Sequence, residues 1–173
     1  MNKVLLPIDR LPATLLADFT GRQADFCTQH PHYRAWLLKQ LQAADFSEQL
    51  SRCWLASRYA ADLCLRQPQW FKTLVESGLL TRPYAEGELA ASLNAQVTPA
   101  LTAEQLDTLL RQFRGRQMLR IIWRDSSGLS DLLETTRDIS NLAESTIALA
   151  LASHHRWLAA ECGHPAAAVA GRV

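Results

Sequence analysis

Three arginines spaced by four, Arg116, Arg120 and Arg124, extend a helical face that begins with Leu106, Leu109 and Phe113. An apolar stripe thus turns into an arginine stripe. A guanidinium is planar, always charged and suited to bidentate hydrogen bonds with carboxylate or phosphate. The rest of that helical half is apolar, with Met118, Leu119, Ile121, Ile122 and Trp123. A helix apolar nearly all round is buried, and buried arginines need partners because an unpaired charge inside a protein is very costly. Candidate carboxylates are Asp125 nearby and Asp131, Glu134, Asp138 and Glu144 further on. One use of this pattern is a structural arginine–carboxylate network that sets helix register. A second is recognition of an anionic ligand or a neighbouring domain. A third is a nucleic-acid surface, since five arginines lie between 111 and 124 without an acid. Aromatic interleaving is thin there. The formal charge of the chain is +1, so no global field draws it to nucleic acid.

Other chemistry-bearing residues form weaker patterns. His154 and Cys162 are eight apart and share a helical face, but His155 points elsewhere, His164 lies past a Gly, and no C-x-x-C anchors a metal site. Cys27 near His30 and His32 carries no sign of a lowered thiol pKa. The cysteines (Cys27, Cys53, Cys64, Cys162) read as reduced, buried, inert thiols. The tryptophans occupy apolar helical positions and read as core.

The elements that must position these residues are all helical. A first helix is expected from Leu11 to about Gln29, and a second from Pro31 with the stripe Tyr33, Trp36, Leu37, Leu41. A third, capped by Asp45 with Glu48 three residues on, is expected to run to Gln67, ahead of Pro68. A short helix spans Pro68 to Ser77, with Gly78 after it. Residues 81–100 hold Pro83, Gly87 and Pro99 and read as a joint with one short helix. Thr102 and Gln105 form a capping box opening a long helix to about Asp125. After Ser126-Ser127-Gly128, a second long helix is expected from Leu129 to Cys162, with Leu132, Leu133, Ile139, Leu142, Ile147, Trp157 and Leu158 as its apolar residues. Two long helices joined by so short a turn should pack antiparallel. The expected fold is an all-α helical bundle, 1–163 as one domain and 164–173 as a linker tail. No apolar run approaches the roughly 20 residues of a membrane span, and the N-terminal decapeptide is not expected to act as a signal peptide, because its apolar run is short and Asp9 and Arg10 interrupt it. A cytoplasmic location is expected.

The run Leu110-Arg111-Gln112-Phe113-Arg114-Gly115-Arg116-Gln117-Met118-Leu119-Arg120-Ile121-Ile122-Trp123-Arg124-Asp125 resembles a signature of the bacterial glutamine synthetase adenylyltransferase family. Its pattern is approximately L-R-x-F-R-x-R-x-M-x-R-I-x-W, and every fixed position is matched. Ile139-Ser140-Asn141-Leu142-Ala143-Glu144 resembles the family's L-S-x-L-A-E helix. Gly163-His164-Pro165 resembles its G-x-P linker, and Arg66-Gln67-Pro68-Gln69-Trp70 its R-x-P-x-W-L segment, with Phe71 in the last place. The likeness covers about residues 55–165.

The resemblance implies a two-headed enzyme that attaches AMP to glutamine synthetase and removes it by phosphorolysis. It implies Mg²⁺ and ATP or ADP as cofactors, held by a Gly-rich turn and S-D-x-D carboxylates, and glutamine synthetase and a PII-type regulator as partners. The chain has no D-x-D pair and no Gly-rich phosphate loop, and it ends about where that motif is expected. It therefore reads as the non-catalytic helical part preceding a nucleotidyltransferase domain, with no catalytic or metal residue of its own and with Arg116, Arg120 and Arg124 as its anion-facing or interdomain candidates. The alternative is a free-standing helical interaction module without enzymatic activity. Neither nucleic acid nor membrane is an expected partner.

Overall fold

The computed structural model describes residues 10–98 and 100–163. The expected tail from His164 onward, with His164 and Pro165, lies outside the described residues. Those described form eight α-helices and no strand: α1 (Ala13–Gln29), α2 (Pro31–Gln40), α3 (Ala44–Ala56), α4 (Arg58–Arg66), α5 (Pro68–Glu76), α6 (Glu88–Asn94), α7 (Ala103–Ser126) and α8 (Leu132–Cys162). The fold is all-α, as the periodicity requires.

Local stereochemistry explains most boundaries. Pro31 and Pro68 open α2 and α5 at the first helical position, where the missing N–H costs nothing. Gly78, with φ of 70°, takes the left-handed conformation after α5. Thr102 accepts from the Gln105 N–H while the Gln105 side chain accepts from the Thr102 N–H, so the capping box of α7 is complete.

Three expectations are corrected. The helix expected from Asp45 to Gln67 is two helices. Ser57 adopts an extended conformation (φ −138°, ψ 105°), and its hydroxyl accepts from the Ala60 N–H as the cap of α4. Asp45 lies in the first turn of α3 behind Ala43 and caps nothing. The final helix starts at Leu132 rather than Leu129, because the Asp131 side chain accepts from the Glu134 N–H and sets the start there.

Two apolar clusters share α7 as their spine. The larger gathers Phe19 and Phe26 of α1, Leu37 of α2, Leu50, Cys53 and Trp54 of α3, and parts of α4 and α5. Leu119 and Trp123 of α7 close it. Phe71 is its hub: its ring lies 5.3 Å from Trp36, 6.0 Å from Trp123, 6.1 Å from Phe26 and 6.2 Å from Trp54, centroid to centroid, within the range of favourable aromatic pairs. The smaller cluster joins Leu89 and Leu93 of α6 to Phe113 and Ile121 of α7 and Leu142 of α8.

The inward face of α8 differs from the expected one. Asp138, Leu142 and Ser153 are its buried residues, whereas Leu132, Leu133, Ile139, Ile147 and Leu158, expected in its apolar stripe, are 45–76% exposed. The helix turns its more apolar side outward because its polar side is claimed by the arginines of α7.

The cysteines divide. Cys53 and Cys64 are buried, Cys27 is partly buried and Cys162 is exposed, which corrects the expectation of four buried thiols. Burial pushes the Cys53 thiol up to about 12 despite a hydrogen bond with Ser126. Burial raises Cys64 as well, and the neighbouring Cys53 adds to the rise. A thiol whose folded pKa is raised keeps its proton in the native state when the unfolded chain has lost it. Its stabilising contribution is complete below the unfolded value of about 8.5 and is lost as pH rises toward the folded one. Thermal melts from pH 8 to 11 are therefore expected to fall with a slope that Cys53→Ala with Cys64→Ala reduces. At pH 8, a maleimide should label Cys162 at once and leave Cys53 and Cys64 until urea unfolds the chain.

Candidate functional site

The arginine series diverges along α7. Arg120 is fully buried. It donates to Asp138 (Nη1 to Oδ2, 2.7 Å), to the Leu79 carbonyl (Nε, 2.9 Å) and to the Arg82 carbonyl (Nη2, 2.8 Å). Its guanidinium carbon lies 3.8 Å from the centroid of the Tyr84 ring, a desolvated cation–π contact. Arg124, 2% exposed, donates from Nε to Glu134 Oε1 at 2.9 Å, with Nη2 2.8 Å from the same oxygen. It also donates to the Leu80 carbonyl (3.2 Å) and the Leu129 carbonyl (2.9 Å).

Two jobs are visible in these contacts. The first is register. A step of four forward on α7, from Arg120 to Arg124, matches a step of four backward on α8, from Asp138 to Glu134. Over this stretch the two helices therefore run in opposite directions. The second is satisfaction of irregular backbone. Residues 79–82 leave helix geometry between α5 and α6, and three of their carbonyls receive arginine hydrogen bonds. Buried carbonyls without such donors are costly. Arg124 also closes its own turn: its carbonyl accepts from the Leu129 and Ser130 N–H groups around Gly128, whose φ is 71°.

Glu134 and Asp138 are the partners taken from the expected set. Asp131 is spent as the cap of α8, and Glu144 lines an open groove with Tyr84, Arg137 and Asn141. The backbone carbonyls could not be read from the sequence, because every residue carries one. Tyr84 and Gln117 were also missed. The Tyr84 hydroxyl donates to Gln117 Oε1 at 3.0 Å, which tethers the ring that faces Arg120.

Arg116 stands apart. It is partly buried and donates from Nη2 to Gln96 Oε1 at 2.8 Å, and its guanidinium carbon is 5.8 Å from the centre of the Trp70 ring. No ion pair engages it among the described residues. Burial lowers its pKa from the ordinary arginine range. Gly115 beside it lets Trp70 lie flush on α7: a β-carbon there would sit 3.0 Å from the indole.

Among the described residues no group of three or more His, Cys, Asp or Glu is placed to hold a metal ion. His154 instead packs edge-on against Trp157 at 5.1 Å. Among the described residues no helix is long and apolar enough to cross a membrane.

Residues 47–172 match the family model described as glutamate-ammonia ligase adenylyltransferase. Among curated proteins, the chain is similar to the bifunctional glutamine synthetase adenylyltransferase/adenylyl-removing enzymes of three bacteria. That of Nitrosococcus oceani is 39% identical over 69% of this chain and 12% of its own length. That of Pseudomonas aeruginosa is 38% identical over 90% of this chain and 16% of its own. That of Pseudomonas putida is 36% identical over 88% and 15%. The chain thus spans about 12–16% of the length of these relatives. No solved structure matches it.

Proposed function

Since the chain belongs to the glutamate-ammonia ligase adenylyltransferase family, we propose that it is a non-catalytic helical element of a cytoplasmic enzyme that attaches AMP to glutamine synthetase and removes it. On this reading, α8 is the seat of a nucleotidyltransferase domain of the longer polypeptide.

The observation that carries the proposal is the outer face of α8. Leu132, Leu133, Ile139, Ile147, Leu151 and Leu158 are all exposed. They share an arc of roughly 120° that runs for about 40 Å at 1.5 Å per residue. Between 132 and 158 that arc contains no Asp, Glu, Lys or Arg. An uncharged, largely apolar exposed face of this length, interrupted by Thr136, Ser140 and His154, marks an interaction surface. The relatives carry at least five-sixths of their length outside the matched region, so each has ample polypeptide to cover such a face.

Magnesium and ATP or ADP, implied by the family's chemistry, do not fit the described residues. Mg²⁺ takes a near-octahedral set of oxygen ligands, and the inward carboxylates Asp138 and Glu134 are held by arginines instead. The proposal assigns these cofactors, and the response to a PII-type regulator, to the rest of the polypeptide. Arg120 and Arg124 act within this element by holding α8 in place.

The test supplies this chain in trans to the remaining polypeptide of the Pseudomonas aeruginosa relative and measures release of AMP from adenylylated glutamine synthetase. The chain is expected to co-purify with that polypeptide and to raise its activity. Ile147→Asp with Leu151→Asp should lower both by about tenfold or more, because charges would be buried in an apolar seam, while leaving the melting temperature of the isolated chain nearly unchanged. A chain that neither binds nor stimulates would favour a free-standing interaction module and end this reading.

A further inference from the structure

Arg116 borders a cavity of about 210 Å³ between α5, the end of α6 and α7. Trp70, Leu74 and Phe113 give its wall an apolar part, and Ser77 and Ser92, whose hydroxyls donate to the Leu74 and Leu89 carbonyls, also line it. The volume is small for a ligand pocket and suits a ligand of few heavy atoms.

The guanidinium is incompletely used. The Gln96 amide is oriented by its own donation to the Ser92 carbonyl at 2.9 Å, which turns its oxygen toward Arg116 Nη2. The Arg116 Nε–H is enclosed by protein and has no acceptor among the described residues. Its helical successors, by contrast, each have a carboxylate, Asp138 for Arg120 and Glu134 for Arg124. A partly buried cation with no counter-charge among the described residues is costly to maintain, and burial is also what lowers the pKa of Arg116.

We propose that this cavity binds a small monocarboxylate with a hydrocarbon body, its carboxylate on Arg116 and its body against Trp70 and Phe113. Charge and shape select that class. One unneutralised guanidinium matches one carboxylate, whose two oxygens suit the planar fork. A phosphate, at about −1.5 to −2, would remain under-neutralised by one guanidinium, and the aromatic part of the wall suits a hydrocarbon body instead. Gly115 contributes indirectly, because the indole packed against it is the ring that flanks the guanidinium. The site is independent of the outer face of α8, and neither proposal depends on the other.

The test measures the melting temperature of the whole chain with isobutyrate, isovalerate, their neutral amides and inorganic phosphate, all at constant ionic strength. A carboxylate at ten times its dissociation constant should raise the melting temperature by about 3 °C or more, with no rise for the amides and less for phosphate. In ¹⁵N spectra the Trp70 indole signal should move with the carboxylate alone. Arg116→Gln should abolish the shift and Arg116→Lys should weaken it. If Arg116→Gln does not fold, the comparison of acid with amide on the unaltered chain decides. Equal responses to acid and amide, no response to either acid, or a stronger response to phosphate would each overturn the assignment.

Discussion

Asp138→Ala should lower the unfolding free energy by about 3 to 5 kcal/mol, because it leaves the Arg120 cation buried and unpaired. Arg120 is fully enclosed and Asp138 is 4% exposed, so water cannot take the place of the lost carboxylate. Urea denaturation reads the effect as a fall in midpoint with little change in slope. A double variant tests what the pair is for. Replacing a buried ion pair with well-packed apolar residues is often neutral or stabilising. Here Arg120→Met with Asp138→Leu should still lose about 2 to 4 kcal/mol, because the Leu79 and Arg82 carbonyls lose their donors. Full recovery in the double variant would show that the carbonyl contacts contribute nothing. The exposed pairs set the scale. Arg58–Asp62 at 3.7 Å, with side chains 87% and 51% exposed, belongs to a class worth no more than about 0.5 kcal/mol.

Phe71→Ala is the second large effect, with an expected loss of about 3 to 5 kcal/mol. The ring is fully buried and touches aromatic groups from α1, α2, α3 and α7 at once. Five helices therefore lose a shared contact, and the cavity cannot be filled by the motion of one neighbour. Phe71→Leu keeps much of the volume and should cost less than about 1.5 kcal/mol. Against a total stability of about 5 to 15 kcal/mol, the alanine variant stands near the limit of folding at 37 °C. A loss below about 1 kcal/mol would mean that the cluster repacks around the gap.

Signals that act over one or two turns were readable from the sequence, and signals that depend on register were not. Pro31, Pro68, Gly78 and the Thr102–Gln105 pair act through their own backbone, and the helices begin or end where these residues lie. Ser57 was overlooked because Leu50, Trp54, Leu55, Tyr59 and Leu63 keep helical spacing across it. Only its extended backbone separates α3 from α4. The need of the buried arginines for carboxylates was visible from the apolar residues around them. The identity of those carboxylates followed from the turn at 127–131, which sets how α8 lies along α7 and selects Glu134 and Asp138. The same turn decides the facing of α8. Leu132 and Ile147 are apolar and helically spaced, so they read as core, yet the inward positions go to residues that answer arginine. Arg116 could not be told from its two neighbours by spacing. Its lack of a carboxylate became visible only once α8 was placed.

The outer face of α8 constrains how this gene can change length. Leu132, Ala143 and His154 are eleven apart, as are Thr136, Ile147 and Leu158, and Ile139 and Ala150. Eleven residues turn the helix by about 1100°, about 20° past three full turns, and seven by about 700°, about 20° short of two, so either step keeps a side chain near this face. The inner ladder of Glu134 and Asp138 is locked to Arg124 and Arg120. Deleting one residue between Asp138 and Ile147 would rotate everything downstream by about 100°, and Ile147, Leu151 and Leu158 would leave the face on which Leu132 and Ile139 remain. Insertions and deletions in this segment should therefore be tolerated as blocks of seven or eleven codons and selected against singly, even though the affected side chains face away from the core of the bundle.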